Sequence, residues 1–297
     1  MGNVFTITVV TTNDALATKY IELAVEEIRR IEQLLTTYQP GSQTNLINDN
    51  AGINPVKVDR EVFDLIERSI AISKITQGAF DISYGSVDKA LWNFDRAMTK
   101  LPDPETARKM VHLINYKNII LDKQQQTVFL KEKAMRIGFG GIGKGYAAEK
   151  AKQILIQNGV TSGIINASGD LAAWGLQPNG KQWTIGIANP DFPQEAFSYI
   201  EISGKAVATS GSYEKYVIID GRKYSHTIDP KSGLPISGIK SVTVICDNAE
   251  LADAMATPVA VMGISAGLFL INQLPGLNCI IIDDNNKLYS SNNINLQ

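Results

Sequence analysis

The sequence predicts an α+β fold of mixed, largely antiparallel sheets with flanking helices. Two observations predict it. Stretches with apolar residues at helical spacing are interspersed with short alternating β-branched runs, and those runs follow one another in hairpin fashion through turn sequences. The chain of 297 residues, 44% hydrophobic and 20% charged, is also long enough to bury a sizeable core, as one large domain or two smaller lobes.

The first strand is read from the opening alternating run Met1-Gly2-Asn3-Val4-Phe5-Thr6-Ile7-Thr8-Val9-Val10. A helix follows, with Asn13 or Asp14 placed to cap it and Leu16, Tyr20, Ile21, Ala24, Ile28, Ile31 and Leu35 at helical spacing. Residues 36–42 read as a loop, and 42–48 continue it. A second helix runs from about 59 to 76 on the stripe Val62, Phe63, Ile66 and Ile70, and Gly78 breaks it. Residues 102–112 read as a short helix, with strands near 117–121, 126–130 and 135–139. The glycine-rich run Gly138-Phe139-Gly140-Gly141-Ile142-Gly143-Lys144-Gly145 turns into a helix through Tyr146, Ala147, Ala151, Ile154 and Leu155. Strands are then expected near 162–167, 182–188, 197–203, 213–219 and 241–246, helices near 249–262 and 264–272, and a closing strand near 278–283. No fixed-period repeat, low-complexity tract or long linker marks a boundary, so 1–297 is read as a single domain.

Composition excludes several classes. With 28 Lys+Arg against 30 Asp+Glu the chain lacks the basic footprint of nucleic-acid binding. Cys246 and Cys279 are too few for a disulfide scaffold or a cysteine zinc site; both read as buried packing residues, and geometry decides whether they form one bridge. The opening residues form no signal peptide, and no apolar stretch reaches the roughly 20 residues of a transmembrane helix. The expectation is a soluble protein, or the trimmed form of a longer precursor.

Chemistry-bearing residues gather in a few places. Asp247 and Glu250 form a D-x-x-E capping signature before a helix that is apolar nearly all the way round, yet Asp253 lies inside it. A carboxylate taken out of water costs several kcal/mol unless a cation, donors or protonation compensates. Thr257 lies one turn on along the same face, and two hard oxygen ligands there suit Mg²⁺. The alternative is a partly solvated or Lys/Arg-paired Asp253, with Thr257 bonded back to a helix carbonyl. Pro258 removes an amide and should kink the helix. The glycine-rich run lets backbone amides approach a phosphate beside Lys144, or is simply a tight turn with a solvated lysine. His226, beside the Asp229-Pro230-Lys231-Ser232-Gly233 turn, can serve as a base near neutral pH or satisfy local hydrogen bonds, whereas His112 falls in an amphipathic helix. Asp81, after Gly78, reads as a capping or turn residue, and Tyr38 as a stacking platform or a surface aromatic.

In order, Met1-Gly2, Tyr38 with the 42–48 loop, Gly78-Ala79-Phe80-Asp81, Gly141-Ile142-Gly143-Lys144-Gly145-Tyr146, Asn166-Ala167-Ser168-Gly169-Asp170, Thr209-Ser210-Gly211, Ser225-His226-Thr227-Ile228-Asp229-Pro230 and Asp253-Ala254-Met255-Ala256-Thr257 span almost the whole chain. This constellation resembles the FAD:protein FMN transferase (ApbE) family, earlier labelled thiamine-biosynthesis lipoproteins. The resemblance implies two lobes around a flavin cleft. It implies Mg²⁺ held by the Asp253 carboxylate, the Thr257 hydroxyl and the Gly141 main-chain oxygen. Met1, Tyr38, Ala79, Phe80 and Asp81 would line FAD, together with Gly138 and Ser210, while Lys144, His226 and Thr227 would lie near the pyrophosphate.

The implied activity is transfer of FMN from FAD to a Thr/Ser hydroxyl of an acceptor flavoprotein subunit, releasing AMP, with FAD as substrate and Mg²⁺ as cofactor. His226 is the expected catalytic base, with Asp253 or Asp81 as fallback. The family's acceptors carry a motif close to Asp-Gly-x-Thr-Gly-Ala-Thr, which this chain lacks, so self-flavinylation is not expected. Two rival readings are an Mg²⁺-dependent FAD pyrophosphatase and a non-catalytic flavin-binding protein. Against the family's pattern, Gly138 replaces a common acidic residue, Ser168 a glycine, and Pro258 follows Thr257. The family's lipoprotein signal is also missing: the expectation is a cytosolic member if the chain is complete, and a periplasmic or membrane-anchored one if a leader was removed.

Overall fold

The computed structural model describes residues 4–87, 99–189, 196–211, 216–292 and 294. They form two compact units, each assembled from separated stretches of chain.

The first unit takes residues 1–32, 142–213 and 239–297. Its frame is a sheet of β1 (Phe5–Val9), β5 (Gly163–Ala167), β6 (Asp170–Trp174), β9 (Ala206–Gly211), β12 (Ile239–Cys246), β13 (Asn278–Asp283) and β14 (Leu288–Ser290), in the order β1-β5-β6-β9-β12-β13-β14 with every pair antiparallel. Side chains alternate across this sheet. On one face, Leu171, Ala173, Val207, Ile245 and Ile280 meet Trp183, Ile187 and Ile202 of the hairpin β7 (Trp183–Ala188) and β8 (Ala196–Ile202). Asp170 and Ala172 alternate with that set and belong to the opposite face, where α5 (Gly143–Gln157) and α6 (Ala249–Met262) pack. Helix α7 (Ile264–Gln273) follows α6.

The second unit takes residues 33–141 and 214–238. It holds α2 (Gln43–Asp49), α3 (Arg60–Ile75), α4 (Pro104–Met110), the small sheet β2 (Val56–Lys57)–β4 (Thr127–Leu130)–β3 (Ile119–Asp122), and the hairpin β10 (Tyr216–Ile219)–β11 (Arg222–Ser225). Val62, Phe63, Leu65 and Ile66 of α3 are fully buried, as the helical stripe requires. Helix α1 (Asp14–Leu35) links the two units in sequence and starts at Asn13, whose side chain accepts the Leu16 amide at 3.1 Å.

The largely antiparallel α+β reading holds, with local corrections. Residues 43–49 form a helix rather than a loop, because the Ser42 hydroxyl accepts the Asn45 amide at 3.1 Å and caps it. Residues 135–139 join no sheet; Ile137 is instead held by an asparagine side chain. Helix α6 continues through Pro258 to Met262. The cap of α6 is Asn248, which accepts the Leu251 amide at 3.0 Å, while exposed Asp247 pairs with Lys205. Cys246 and Cys279 are both buried and unbridged; burial pushes their thiols up to about 11 and about 12. Among the described residues, no helix is long and apolar enough to cross a membrane.

Candidate active site

In the first unit, the end of the glycine-rich run, residues 142–145, enters α5 against the start of α6. A Cβ on Gly145 would lie 2.1 Å from the Ala249 carbonyl oxygen and 2.7 Å from Asp253 Cβ. Glycine is therefore what lets the two helices touch backbone to side chain. The contact delivers a hydrogen bond: the Gly145 amide donates to Asp253 Oδ2 at 2.9 Å. One turn further along α5, buried Glu149 accepts the Ala249 amide at 3.0 Å and the Lys152 ammonium at 2.9 Å. An otherwise orphaned amide at the α6 N-terminus is satisfied in this way.

Asp253 is 6% exposed, on a helix whose neighbouring side chains are alanine and methionine. Burial and, second, the Asp170 carboxylate push its carboxyl up to about 8; the Lys144 ammonium and the Gly145 and Lys144 amides pull the other way. Asp170, 2% exposed, is also raised by burial against the pull of Lys144. The Lys144 ammonium pairs with Asp170. Thus Asp253 is not partly solvated, it takes main-chain amides of Gly145 and Lys144, and the Lys144 ammonium is not freely solvated but paired with Asp170. Half-buried Thr257 follows one turn on, its hydroxyl 3.5 Å from Ser210 Oγ on β9. Lys144, Asp170, Ser210, Asp253 and Thr257 therefore gather from two helices and two strands. The described residues hold no cluster of three or more His, Cys, Asp or Glu side chains able to bind a metal. The oxygen donors present are the Asp253 carboxylate, the Asp170 carboxylate that Lys144 already engages, and the Ser210 and Thr257 hydroxyls, a set that suits a hard cation which keeps other positions for water or phosphate oxygens.

The second unit holds the other sequence-flagged residues. Asp81 is buried and accepts from the Ser83 amide at 2.8 Å, the Ser83 hydroxyl at 2.6 Å and the Tyr116 amide at 2.7 Å. Burial raises its carboxyl and these donors oppose the rise. Asp81 is thus a turn-holding residue, as its position after Gly78 suggests, and these donors occupy the carboxylate proposed as a fallback base. Ala79 and Phe80 are buried, and a Cβ on Gly141 would lie 3.7 Å from the Phe80 ring. The Gly138 amide donates to the Ile82 carbonyl at 2.9 Å. Tyr38 is 91% exposed. His226 is exposed just beyond β11; half-buried Thr227 accepts the Ile236 amide at 3.0 Å. The following turn docks on α4 through Gly233, where φ is +70° and a Cβ would lie 2.1 Å from the Ala107 carbonyl oxygen. Met1 lies outside the described residues.

Some supporting residues escaped the sequence reading. Asn48 holds both main-chain groups of Ile137, accepting its amide at 2.7 Å and donating to its carbonyl at 3.0 Å, which fixes the strand-like segment leading into the glycine run. Glu149 and Asp170 likewise act across long sequence separations. A buried asparagine in a polar seven-residue helix gives no periodic signal, so only its place in the motif-bearing 42–48 segment pointed there.

Fold and cluster together define an α+β protein with a site of two buried carboxylates, a lysine and hydroxyls where a glycine-entered helix meets an apolar one. A sequence model described as the ApbE family matches residues 1–281. The chain belongs to that family. A Klebsiella pneumoniae protein named FAD:protein FMN transferase is 32% identical over 293 residues, 98% of this chain and 89% of its own length. A Treponema pallidum protein of the same name is 29% identical over 292 residues, covering 91% of this chain and 80% of its own. Among solved structures, the ApbE protein of Thermotoga maritima superimposes with a TM-score of 0.86 at 30% identity, covering 98% of this chain and 94% of that one. The apo flavinyl transferase ApbE of Pseudomonas stutzeri gives 0.85 at 27% identity, over 98% and 92%.

Proposed function

We propose that this chain transfers FMN from FAD to a Thr or Ser hydroxyl of an acceptor flavoprotein, releasing AMP, with Mg²⁺ held by Asp253, Thr257 and the Gly141 carbonyl. Family membership and the relatives' names support the reaction. The observation that carries the site is Asp253: a buried carboxylate on an apolar helix, with a second buried carboxylate nearby whose partner is the single ammonium of the cluster. Such a cluster gains from a further cation.

Bound there, Mg²⁺ would neutralise charge on the FAD diphosphate and on departing AMP. The chain's own residues do the rest. Asp253 is aimed by the Gly145 amide at 2.9 Å, and Thr257 presents its hydroxyl from the same helix face. Tyr38, Ala79, Phe80, Asp81, Gly138 and Ser210 are proposed to line FAD, with Lys144, His226 and Thr227 near its pyrophosphate and Met1 added from the family's pattern. Exposed His226 takes the proton from the acceptor hydroxyl as its oxygen attacks the FMN-side phosphorus. One phosphorus–oxygen bond forms, the bridging bond to AMP breaks, and AMP leaves with that bond's electron pair.

Incubation with FAD and Mg²⁺, with and without an acceptor flavoprotein, tests the proposal. The expected result is AMP release that requires acceptor and matches covalent FMN on it, detected by intact-mass spectrometry. AMP and free FMN formed equally fast without acceptor would replace it with an FAD pyrophosphatase, and FAD binding with no AMP would leave only storage.

A further inference from the structure

Lys144 poses a problem for the site. Its ammonium and its main-chain amide both act on Asp253, which the proposed function assigns to a divalent cation. An ammonium resting on that carboxylate would use the lone pairs the cation needs. In the structure it rests elsewhere, on Asp170.

Asp170 is fixed from outside the helix pair. It opens β6 after a two-residue turn in which Ser168 and Gly169 take φ of +53° and +100°. That turn is pinned by the Gly169 amide on Asn166 Oδ1 at 2.9 Å and by the Ser168 hydroxyl on the Val4 carbonyl at 3.0 Å. The Thr209 amide supplies a further donor to the Asp170 carboxylate. The sheet thus holds a carboxylate, 2% exposed, where the α5 lysine can reach it. Were it neutral, Asp253 would be the carboxylate left in the field of that ammonium.

We propose that Asp170 is a positioning residue that keeps the Lys144 ammonium off Asp253 and so leaves Asp253 open to a divalent cation. This role rests on the reading of Asp253 as the cation's ligand, and the experiment separates the two. Mg²⁺ is titrated calorimetrically into FAD-saturated, acceptor-free wild type and the variants D170N, D170E, K144Q, K144Q/D170N and D253A, with circular dichroism to check folding.

D170N should bind Mg²⁺ about tenfold or more weakly, because an unscreened ammonium then competes at short range. D170E, which keeps the charge, should stay within about threefold of wild type, and K144Q/D170N should return to within about threefold of K144Q, the coupling expected of groups acting through one another. K144Q carries the test if D170N does not fold. An ammonium that only threatens Asp253 can be removed with Mg²⁺ affinity at or above wild type, and a loss of about tenfold in K144Q overturns the role. Mg²⁺ binding that D253A abolishes but D170N leaves unchanged overturns the role of Asp170 alone, as does a D170N loss that K144Q fails to relieve. Wild type that binds no Mg²⁺, or D253A that binds it normally, overturns the reading of Asp253 and this role together.

Discussion

Replacing Gly145 with alanine perturbs the site at its tightest point. The new Cβ would stand 2.1 Å from the Ala249 oxygen, 2.7 Å from Asp253 Cβ and 2.8 Å from the Ala249 carbonyl carbon, against an ordinary contact of 3.4 Å or more. Two of these atoms are backbone, so no side-chain rotation relieves the clash. The start of α6 must retreat by about 1 Å, at a typical overpacking cost of about 1–3 kcal/mol. That retreat stretches the 2.9 Å bond from the Gly145 amide to Asp253 and the 3.0 Å bond from Glu149 to the Ala249 amide. A misplacement of this size at a reacting centre costs about 100-fold in rate. In a transfer assay that follows flavin fluorescence on the acceptor, G145A should lose about that much kcat. Thermal melting should drop by roughly 3–10 °C. The control is G140A: nothing lies within 4 Å of a Cβ at Gly140, so its melting temperature should not move. G145A with wild-type melting and a rate within about threefold of wild type would refute the close-packed helix pair as the device that positions Asp253.

Three further outcomes follow from the same geometry. Asp253 keeps its proton up to about 8 when folded, whereas the unfolded chain gives it up near the ordinary carboxylate value of about 4. Through Asp253 the metal-free protein therefore loses stability as pH rises between those values, by up to about 1.4 kcal/mol per unit, and D253N lacks that contribution while keeping the one from Asp170. Melting without Mg²⁺ should converge near the acid end and separate in favour of D253N toward pH 8, while D253N shows no transfer; parallel curves would contradict the burial argument. E149A leaves the Ala249 amide and the Lys152 ammonium without their buried partner, and urea titration should show a loss of about 3 kcal/mol with an unchanged slope. H226A should slow transfer by about 10²–10⁴-fold and remove the acid limb of the pH–rate profile; an unchanged profile would take the proton-acceptor role from His226.

Where local rules govern, the sequence was a good guide. The stripe of α3 and the Ala24, Ile28, Ile31 and Leu35 part of the α1 stripe are turned inward as the periodicity predicts, whereas Leu16 and Ile21 at the start of α1 are exposed, and Asp253 announced itself as an anion among the alanines and methionine of α6. Local signals also misled. The Asp247–Glu250 spacing satisfies the capping pattern, but Asn248 takes the cap because its side chain accepts the Leu251 amide, and Asp247 turns to Lys205. Helix α2 is seven residues of mostly polar sequence, too short for a stripe, and owes its existence to Ser42. What the chain order hides is long-range pairing. Asn48 on Ile137, Glu149 on Ala249 and Asp170 on Lys144 depend on which strand the sheet places beside which helix, and no spacing along the chain encodes that.

The most direct test is a crystal grown with FAD and Mn²⁺ in place of Mg²⁺, with anomalous scattering used to locate the ion. The account predicts an anomalous peak within coordination distance of the Asp253 carboxylate and the Thr257 hydroxyl, bridging to the diphosphate of FAD, while Lys144 stays on Asp170. Asp253 engaged only by the Gly145 amide and the Lys144 ammonium, with the diphosphate bound and the ion absent or elsewhere, would contradict it.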